Sequence, residues 1–494
     1  MLDHGADDGC RREEQDGRRG GVQIAAEVPA SGGTGGVGGG LGQKIAGHIP
    51  DARVREVRRT RDGRGRQRFV MVHGGVSCPC PAYGRRMARS PFSPSFWRSP
   101  LRGPWLTSVL GIVLLGGITV LFVTGLVSYA AYNPDLSPVN DKTPDKGILG
   151  FYLFSWPTDP HWLYRLNQGV HVTLGITLIP VLLAKLWSVV PRLFTLPPAR
   201  SLAHALERLS LLLLVGGALF EFVTGVLNVQ LDYIFPGSFY PLHFYGAWVF
   251  IAAFVAHAVL KTPMALRNLR QLREERNDLI APSPAEPTVS RRGALWFVGG
   301  GSLLLFGTTV GQNFDGPLRR TALLAPHGGA DPGSGPGGFQ INKTAAYAGI
   351  RDADTSEEAW RLVVVGANGH TVRLTRADLL AMPLHSAALP IACVEGWSTS
   401  DQWWRGVRLR DLAALVGHDE DPPDVLVESL QQRGAFRRAA LRANQVADPR
   451  SLLALAVNGE DLTPDHGYPA RIIVPAAPGV LNTKWVARLT FGDL

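Results

Sequence analysis

Five apolar segments constrain the fold of this chain more than any other feature of its sequence. They occupy residues 104–131, 168–190, 208–230, 241–261 and 293–313 of a 494-residue chain. A helix of about 20 residues crosses the hydrocarbon core of a bilayer, so the pattern predicts five spans. The expected fold class is a membrane α-helical bundle of five spans, followed by a separate domain formed by the C-terminal third of the chain.

Lysine and arginine are distributed unevenly among the connecting segments. The segment before the first span and the loops after the second and fourth spans carry most of them: Arg85, Arg86, Arg89, Arg98, Arg102, Arg192, Arg200, Arg208, Lys261, Arg267, Arg270, Arg273, Arg276, Arg291 and Arg292. The alternate loops carry only Lys142, Lys146 and Arg165, and none in 231–240. Because positive loops stay in the cytoplasm, we predict an N-in, C-out multi-pass protein of a bacterial cell membrane, with its last domain extracytoplasmic. The net charge of +9 then needs no nucleic-acid partner.

The segments outside the spans differ in composition. Residues 1–100, rich in Gly and Arg, predict a disordered cytoplasmic tail. Met71 and Met87 are both candidate translation starts, and a start at Met87 would make the residues to about 86 an extension of the gene model. Its run SGGTGGVGGGLG has no preceding strand and no following Lys-Ser/Thr, so we do not interpret it as a phosphate loop. Nor do we expect a metal site at Cys78-Pro-Cys80. Residues 263–292 are expected to be a basic cytoplasmic loop and 314–339 a Gly/Pro linker, leaving 340–494 as the outer domain.

The first four spans, residues 104–262, contain a repeat. LFVTGLVSY (121–129) resembles EFVTGVLNV (221–229), and a shift of 72 residues superposes His171 on His243 and Lys185 on His257. Each half therefore places a histidine at a similar depth in the outer leaflet. Facing helices of a bundle can supply two axial imidazoles, so we predict a b-type haem on His171 and His243; the alternative is that both are hydrated interfacial residues.

A second haem is an open question. His243 and His257 are 14 residues apart on one helical face, about 21 Å along the axis. This spacing resembles the b-type cytochrome subunits of membrane dehydrogenases and hydrogenases, which hold two stacked haems. The resemblance implies His257 as a possible ligand of a second haem, but Lys185 stands where the repeat would supply its partner, and His204 lies at the membrane edge.

The fifth span begins with Ser290-Arg291-Arg292, followed by a Gly-rich apolar run. This resembles an internal, uncleaved twin-arginine export signal, although Ala294 replaces the aromatic residue of the consensus. Two ordinary inside-positive arginines are the alternative.

The outer domain has an α+β pattern. We predict a strand into a turn at 360–366 and a strand running into a loop at 389–397. Further strands are predicted at VLVESL, LLALAVNG, ARIIVPA and TKWVARLTF, and helices at TRADLLAMP and VRLRDLAALVG. Cys393 is the single cysteine in this domain, so no intramolecular disulfide is expected there.

LPIACVEGWSTSDQWWRGVRLRDL and NGEDLTPDHGYPARIIVPAAPGVLNTKW resemble the molybdopterin domain of the sulfite oxidase family, and most closely its bacterial methionine-sulfoxide-reductase-like branch. The resemblance covers about 340–494 and implies a molybdenum–molybdopterin cofactor with Cys393 as the metal-ligating thiolate. It further implies cofactor contacts from the following residues: Asn342, Ser429, His466, Arg471, Asn482, Thr483 and Lys484. A thiolate is a soft ligand suited to this metal, and arginine suits anionic groups.

One departure bears on the substrate. Val394, Glu395, Gly396 and Trp397 follow the cysteine, where the resemblance would supply an arginine-rich cluster for sulfite. An oxyanion still has candidate ligands if Arg405 or Arg408 folds inward.

The function predicted is a molybdopterin-dependent oxidoreductase that transfers an oxygen atom or two electrons to or from a small oxyanion or an S- or N-oxide. Haem would connect it to the quinone pool or another membrane electron carrier, and reduction of the substrate is favoured over oxidation. Two alternatives remain open: the same domain on a haem-free anchor, and a non-catalytic relative without cofactor.

Overall fold

A computed structural model describes residues 60–61, 67–68, 98–132, 154–191, 201–229, 239–270, 289–314, 316–325, 337–432 and 436–492. The chain divides into two compact units, Met1–Gly84 and Arg85–Leu494. In the first unit, strands β1 (Thr60–Arg61) and β2 (Gln67–Arg68) pair antiparallel. The other predicted features of the tail, and residues 271–288 and 326–336 of the predicted loop and linker, lie outside the described residues.

Five helices in the second unit are long and apolar enough to cross a membrane. They are α1 (Pro104–Tyr132), α2 (Leu163–Val189), α3 (Leu202–Asn228), α4 (Tyr240–Arg270) and α5 (Arg291–Gly307), and a 3-10 turn at Val310–Asn313 extends the last one. The helices α2 and α3 begin several residues before the predicted spans, and α4 continues past Pro263. Backbone hydrogen bonding does not stop where the apolar run stops, so the apolar pattern underestimates helix length.

The helices pack as two neighbouring pairs, α1 with α2 and α3 with α4, with α5 against α2. Leu110, Leu114 and Ile118 of α1 share a core with Leu178 and Leu182 of α2, at the four-residue spacing of one helical face. Large apolar side chains cover the outward faces; Phe297 of α5, for example, is 85% exposed. Such a surface is suited to lipid rather than to water.

The rest of the unit is an α+β domain with two five-stranded sheets. One sheet has the order β10-β9-β6-β5, with β11 also on β9; the other has the order β4-β3-β12-β7-β8. All pairs are antiparallel except β12 with β3. The strands are β3 (Leu362–Val365), β4 (Thr371–Leu374), β5 (His385–Leu389), β6 (Gln402–Arg408), β7 (Val425–Ser429), β8 (Arg438–Leu441), β9 (Leu452–Val457), β10 (Glu460–Asp461), β11 (Arg471–Ile473) and β12 (Val486–Phe491).

Five short helices connect these strands: α6 (Ala345–Ala348), α7 (Asp352–Thr355), α8 (Arg376–Ala381), α9 (Leu409–Ala414) and α10 (Ala443–Ala447). The helix predicted at TRADLLAMP is confirmed as α8, which Thr375 and Asp378 begin with a capping box. The helix predicted at VRLRDLAALVG begins only at Leu409, because Val407 and Arg408 still pair with β9 as part of β6.

Residues 389–397 are predicted to be a strand that runs into a loop, and the change from strand to loop comes earlier than this range suggests. Strand β5 ends at Leu389, and Pro390, which has no N–H to donate to a sheet, turns the chain into a loop. This loop carries Cys393.

The α+β domain rests on the end of the bundle where α2 begins. Gln168 Nε2 of α2 donates to Val394 O at 2.5 Å, and Trp156 Nε1 donates to Ala476 O at 2.8 Å. On the α5 side, Ser398 Oγ donates to Asn313 Oδ1 at 3.2 Å. The loop of Cys393 is thus held directly against the bundle.

Candidate active site

The loop after β5 holds Cys393 in a buried position. Cys393 N donates to Trp397 O at 2.9 Å, and Gly396 N donates back to Cys393 O at 3.1 Å, which closes a tight turn around the thiol. Gly396 adopts a φ of +95°, a left-handed conformation that favours glycine. The side chain of Cys393 is 4% exposed. The turn therefore aims one fixed sulfur at the interior.

A carboxylate lies next to this sulfur. Cys393 Sγ donates to Glu395 Oε2 at 3.5 Å, and Trp397 Nε1 donates to the same oxygen at 2.9 Å. Burial, and secondly the Glu395 charge, raise the pKa of the Cys393 thiol well above its usual value. A bound metal ion would offset both effects and stabilise the thiolate.

The sulfur faces a cavity of about 350 Å³. Seven residues singled out in the sequence line it together: Asn342, Cys393, His466, Arg471, Asn482, Thr483 and Lys484. They come from the start of the domain, the Cys393 loop, the 3-10 turn at Pro464–His466, strand β11 and the turn before β12. The structure thus brings together residues more than 100 positions apart in sequence.

Three buried cations surround the cavity. Arg471 donates through Nη1 to His466 O at 3.0 Å and through Nη2 to Asn482 O at 3.2 Å. Lys484 Nζ donates to Asp465 O at 2.9 Å and to Lys343 O. Burial lowers the pKa of Arg471 to about 9 and that of Lys343 to about 8, and it lowers the pKa of Lys484 well below its usual value. Such positive charges would be stabilised by an anionic ligand in the cavity.

Polar atoms at the same place lack partners. Arg471 Nε, Asn482 Nδ2 and Thr483 Oγ1 are buried with no hydrogen-bond partner among the described residues. Buried donors of this kind are costly unless something satisfies them. The residues present therefore fit a polar, anionic group such as the phosphate-bearing pterin cofactor.

His466 is held from both ring nitrogens. Nδ1 lies 2.8 Å from Thr463 Oγ1 and Nε2 lies 3.3 Å from Phe339 O. Burial, and secondly Arg471, lower the pKa of His466 to about 4, so the ring is neutral at neutral pH.

Ser429, Arg405 and Arg408 are not among the described residues that line the cavity. Ser429 Oγ donates to Lys484 O at 2.7 Å and so links β7 to the turn before β12. Arg405 is exposed on the outer face of β6, because alternate residues of that strand point away from the core. Arg405 therefore does not fold inward, and Arg408, although its Nε is buried, does not reach the described lining of the cavity.

Within the bundle, His171 of α2 and His243 of α4 face each other. Their ring centroids are 6.3 Å apart and the rings are nearly perpendicular, at 88°. Each Nδ1 contacts a threonine hydroxyl, Thr124 at 2.9 Å and Thr224 at 3.1 Å. Because those hydroxyls donate their protons to backbone carbonyls, their oxygens accept from Nδ1–H, which leaves both Nε2 atoms without a proton.

Two glycines adjoin the rings. A Cβ at Gly125 would lie 3.3 Å from His171 Cε1, and one at Gly225 would lie 3.3 Å from His243 Cε1. Both histidines and both glycines line the same cavity as Cys393. The cavity is therefore continuous from the bundle into the α+β domain.

The inner positions differ. Lys185 Nζ donates to Thr107 O at 2.6 Å on α1, and His204 lies in the first turn of α3, after the capping residue Ser201. His257 lies on α4 but is not among the described residues that line the cavity. The second haem site therefore stays a prediction.

Comparison with known families matches residues 348–493 to one described as the oxidoreductase molybdopterin binding domain. The uncharacterized oxidoreductase YuiH of Bacillus subtilis (strain 168) is 35% identical over 132 residues, 27% of this chain and 65% of that protein. The mitochondrial sulfite oxidase of Rattus norvegicus is 32% identical over 158 residues, 27% of this chain and 29% of that protein. Among solved structures, the sulfane dehydrogenase SoxCD from Paracoccus pantotrophus matches with 26% identity and a TM-score of 0.26, covering 28% of this chain and 39% of that one.

These matches identify residues 348–493 as a molybdopterin-binding oxidoreductase domain of the sulfite oxidase type. The expectation that the chain carries an oxidoreductase enzyme is thereby confirmed. The chain spans less than two thirds of each of these relatives, and the family match covers only its C-terminal part.

Three residues of the site were not singled out from the sequence. Lys343 directly follows Asn342 and lines the cavity beside it. Glu221 is the single acidic residue in the apolar run 208–230, which is a signal that the sequence does contain. Gln168 carries no such signal, because its role depends on the position of a loop 226 residues away.

Proposed function

We propose that this chain is a membrane-anchored oxidoreductase with a molybdopterin centre on Cys393. In this proposal the centre exchanges an oxygen atom or an electron pair with a small substrate, and haem between His171 and His243 connects it to a membrane electron carrier. The observation that carries the proposal is the single cavity that both Cys393 and the histidine pair line.

Membrane anchoring is supported by the five long apolar helices and by their exposed apolar faces. The arginine-rich connecting segments favour an N-in, C-out orientation, which places the α+β domain outside the cytoplasm. The Ser290 side chain accepts from Gly293 N and begins α5, so Arg291 and Arg292 lie in the first turn of that helix. An export signal at this position remains part of the proposal.

At the molybdenum site, Cys393 would ligate the metal, and Arg471, Lys484, Asn482 and Thr483 would hold the pterin and its phosphate. Molybdenum supplies oxygen-atom transfer coupled to two electrons. The chain supplies the charge environment, because the buried cations oppose the negative charge of the cofactor. His466 also lines this cavity, and because its ring is neutral it adds no charge there.

At the haem site, His171 and His243 would supply the axial nitrogens, with the tautomer that the threonines favour. The ring centroids of the two histidines, 6.3 Å apart, would leave room for one metal ion between the rings. Haem supplies one-electron transfer. The glycines at 125 and 225 keep the space beside each ring clear of side chains.

Contacts between the two sites favour direct electron exchange. Gln168 lies one turn before His171 on α2, and its amide holds the carbonyl next to Cys393. Gly396 packs on Val172, the neighbour of His171, so closely that an added Cβ would lie 2.6 Å from Val172 Cβ. The Cys393 loop and the haem-bearing helix are therefore in van der Waals contact.

The substrate class is a small oxyanion or an S- or N-oxide. Glu395 and Trp397 line the cavity next to Cys393 where sulfite would need cations, which disfavours sulfite. Likeness to the bacterial branch of the family favours reduction of the substrate over its oxidation.

Metal analysis and optical spectra of the full-length protein test the proposal. Made in a host that builds the cofactor, the wild type is expected to contain molybdenum, and Cys393→Ser is expected to lose turnover almost entirely. Equal molybdenum and equal turnover in both proteins would contradict Cys393 as the metal ligand, whereas a wild type with neither molybdenum nor turnover would identify a non-catalytic relative.

The haem is tested separately. A b-type band in reduced-minus-oxidised spectra is expected for the wild type and should disappear in His171→Ala, whereas the control His204→Ala should retain it. A band that is absent from the wild type, with molybdenum present, would leave a haem-free anchor.

A further inference from the structure

His171 and His243 have matching neighbours in the two halves of the bundle, except at one position. Repeat position 121 is leucine, and the equivalent position 221 is glutamate. The distance from the threonine hydroxyl to Nδ1 is 2.9 Å for His171 and 3.1 Å for His243. A Cβ added to the glycine beside each ring would lie at the same distance from it in both halves. Glu221 is therefore an addition to one side of an otherwise symmetric site.

Glu221 is buried and directed at His243. Its Oε2 lies 3.2 Å from His243 Nδ1, and the side chain is 7% exposed. Its other oxygen, Oε1, has no hydrogen-bond partner among the described residues. Gly246 makes the space for this carboxylate, since a Cβ there would lie 2.2 Å from Oε1.

Burying an acidic side chain in an apolar bundle is costly, and among the described residues Glu221 has an ion-pair contact with His243 but none with a lysine or arginine. A positively charged iron on the far side of the His243 ring would offset the cost. A ligating histidine commonly donates its second N–H to a carboxylate, which orients the ring and makes it a stronger donor to the metal.

We infer that Glu221 is a positioning residue that acts through His243 to lower the reduction potential of the haem. Its carboxylate shares the Nδ1 proton with Thr224, gives the ring partial anionic character and so favours ferric over ferrous iron. The inference rests on the proposed haem between His171 and His243. The consequence is a haem that releases its electron more readily towards the molybdenum site.

Potentiometric titration of the haem band in the full-length purified protein tests this. Each step adds one electron to the iron, supplied by the titrating reductant. Glu221→Leu recreates the environment of the first half, and Glu221→Gln keeps the size and an oxygen acceptor but removes the charge. In both variants we expect the midpoint potential to rise by about 59 mV. For a one-electron couple this shift means about tenfold more reduced relative to oxidised haem at a fixed potential.

The results of this titration distinguish a failure of the Glu221 inference from a failure of the proposed haem. An unchanged midpoint in both variants, with the haem band intact, overturns the inference. A rise in Glu221→Leu without one in Glu221→Gln also overturns it, because packing rather than charge would then be responsible. If the Leu variant loses haem, the Gln variant alone decides. A wild type without a haem band contradicts the proposed haem function itself, whatever the role of Glu221.

Discussion

At the scale of single residues, the buried cations define what the cavity can hold. Among the described residues, the hydrogen-bond acceptors of the Arg471 and Lys484 side chains are all backbone carbonyls. Carbonyl oxygens satisfy hydrogen bonds but carry no full charge, so each buried cation lowers the stability of the cofactor-free protein. An anionic cofactor reverses this effect, which couples folding of the domain to loading.

Lys343 makes this cost measurable through pH. Its pKa is about 8 in the folded protein and 10.5 in an ordinary environment. Between these values the unfolded chain binds more protons, so the stability contributed by this group rises as pH rises from 8 to 10.5. The 2.5-unit difference corresponds to about 3 kcal/mol, at about 1.4 kcal/mol per unit.

We therefore expect the cofactor-free wild type to gain stability relative to Lys343→Met over this pH range. Denaturant unfolding of both full-length proteins, made in a host that lacks the cofactor, measures the difference. Comparing the two removes the contributions of Arg471 and Lys484, which are common to both. Parallel stability curves from pH 8 to 10.5 would contradict the assignment of a buried ammonium group.

At the scale of elements, the contact between the Cys393 loop and α2 aligns the two sites. The loop leaves β5 at Pro390, turns at Gly396 and returns to the sheet as β6. Its turn lies against Val172, so Cys393 and His171, the proposed ligands of the two sites, are each within three residues of the contact. The contact depends on a residue without a side chain at position 396.

Gly396→Ala tests this contact, and Gly369→Ala is its matched control. Both glycines have positive φ, +95° and +78°, so both alanines are expected to cost about 1–2 kcal/mol in backbone strain. Gly369 has open space around it, whereas Gly396 meets Val172, so Gly396→Ala should cost about 1–3 kcal/mol more through overpacking. In the proposed enzyme it should also slow oxidation of the reduced haem through the molybdenum site after substrate is added, followed by stopped-flow absorbance. Equal behaviour of the two variants would show that the loop does not need its contact with α2.

The sequence predicted elements where local chemistry decides them. The apolar runs predicted five helices, the Thr375–Asp378 capping box predicted α8, and the repeat around residues 121 and 221 predicted that His171 and His243 face each other. At the Cys393 loop the sequence predicted a strand that runs into a loop but not that the strand ends at Leu389, because a run of apolar residues does not show where a strand becomes a buried loop. It also failed at Lys343 and Gln168, whose roles depend on packing between segments far apart in the chain.

At the scale of the whole molecule, the α+β domain is fixed to the bundle at several points. Hydrogen bonds join it to the segment before α2, to α2 itself and to the end of α5, and Arg450 adds an ion pair with Asp159 at 2.7 Å. A domain held at three places has one orientation relative to the helices. In the proposed membrane arrangement, the side on which the Cys393 cavity lies is therefore decided by the orientation of the helices alone.

The orientation of the helices predicts which positions a membrane-impermeant reagent can reach. Positively charged connections before α1, between α2 and α3, and between α4 and α5 favour the cytoplasm, so the end of α4 should face inward and the α+β domain outward. We expect a membrane-impermeant thiol reagent on intact cells to label Asp419→Cys, an exposed position after α9, and not Leu266→Cys, an exposed position near the end of α4. The second should react only after the membrane is opened.

The background for this measurement replaces Cys10, Cys78 and Cys80 with serine, and it retains Cys393, whose burial protects it from the reagent. The reverse labelling pattern would place the catalytic site in the cytoplasm, where an export signal at Arg291 and Arg292 would have no purpose. Labelling of both positions in intact cells would contradict membrane insertion. Labelling as expected would place the Cys393 cavity on the outer side, where a substrate reaches it without crossing the membrane and where the proposed haem would supply electrons from the helices.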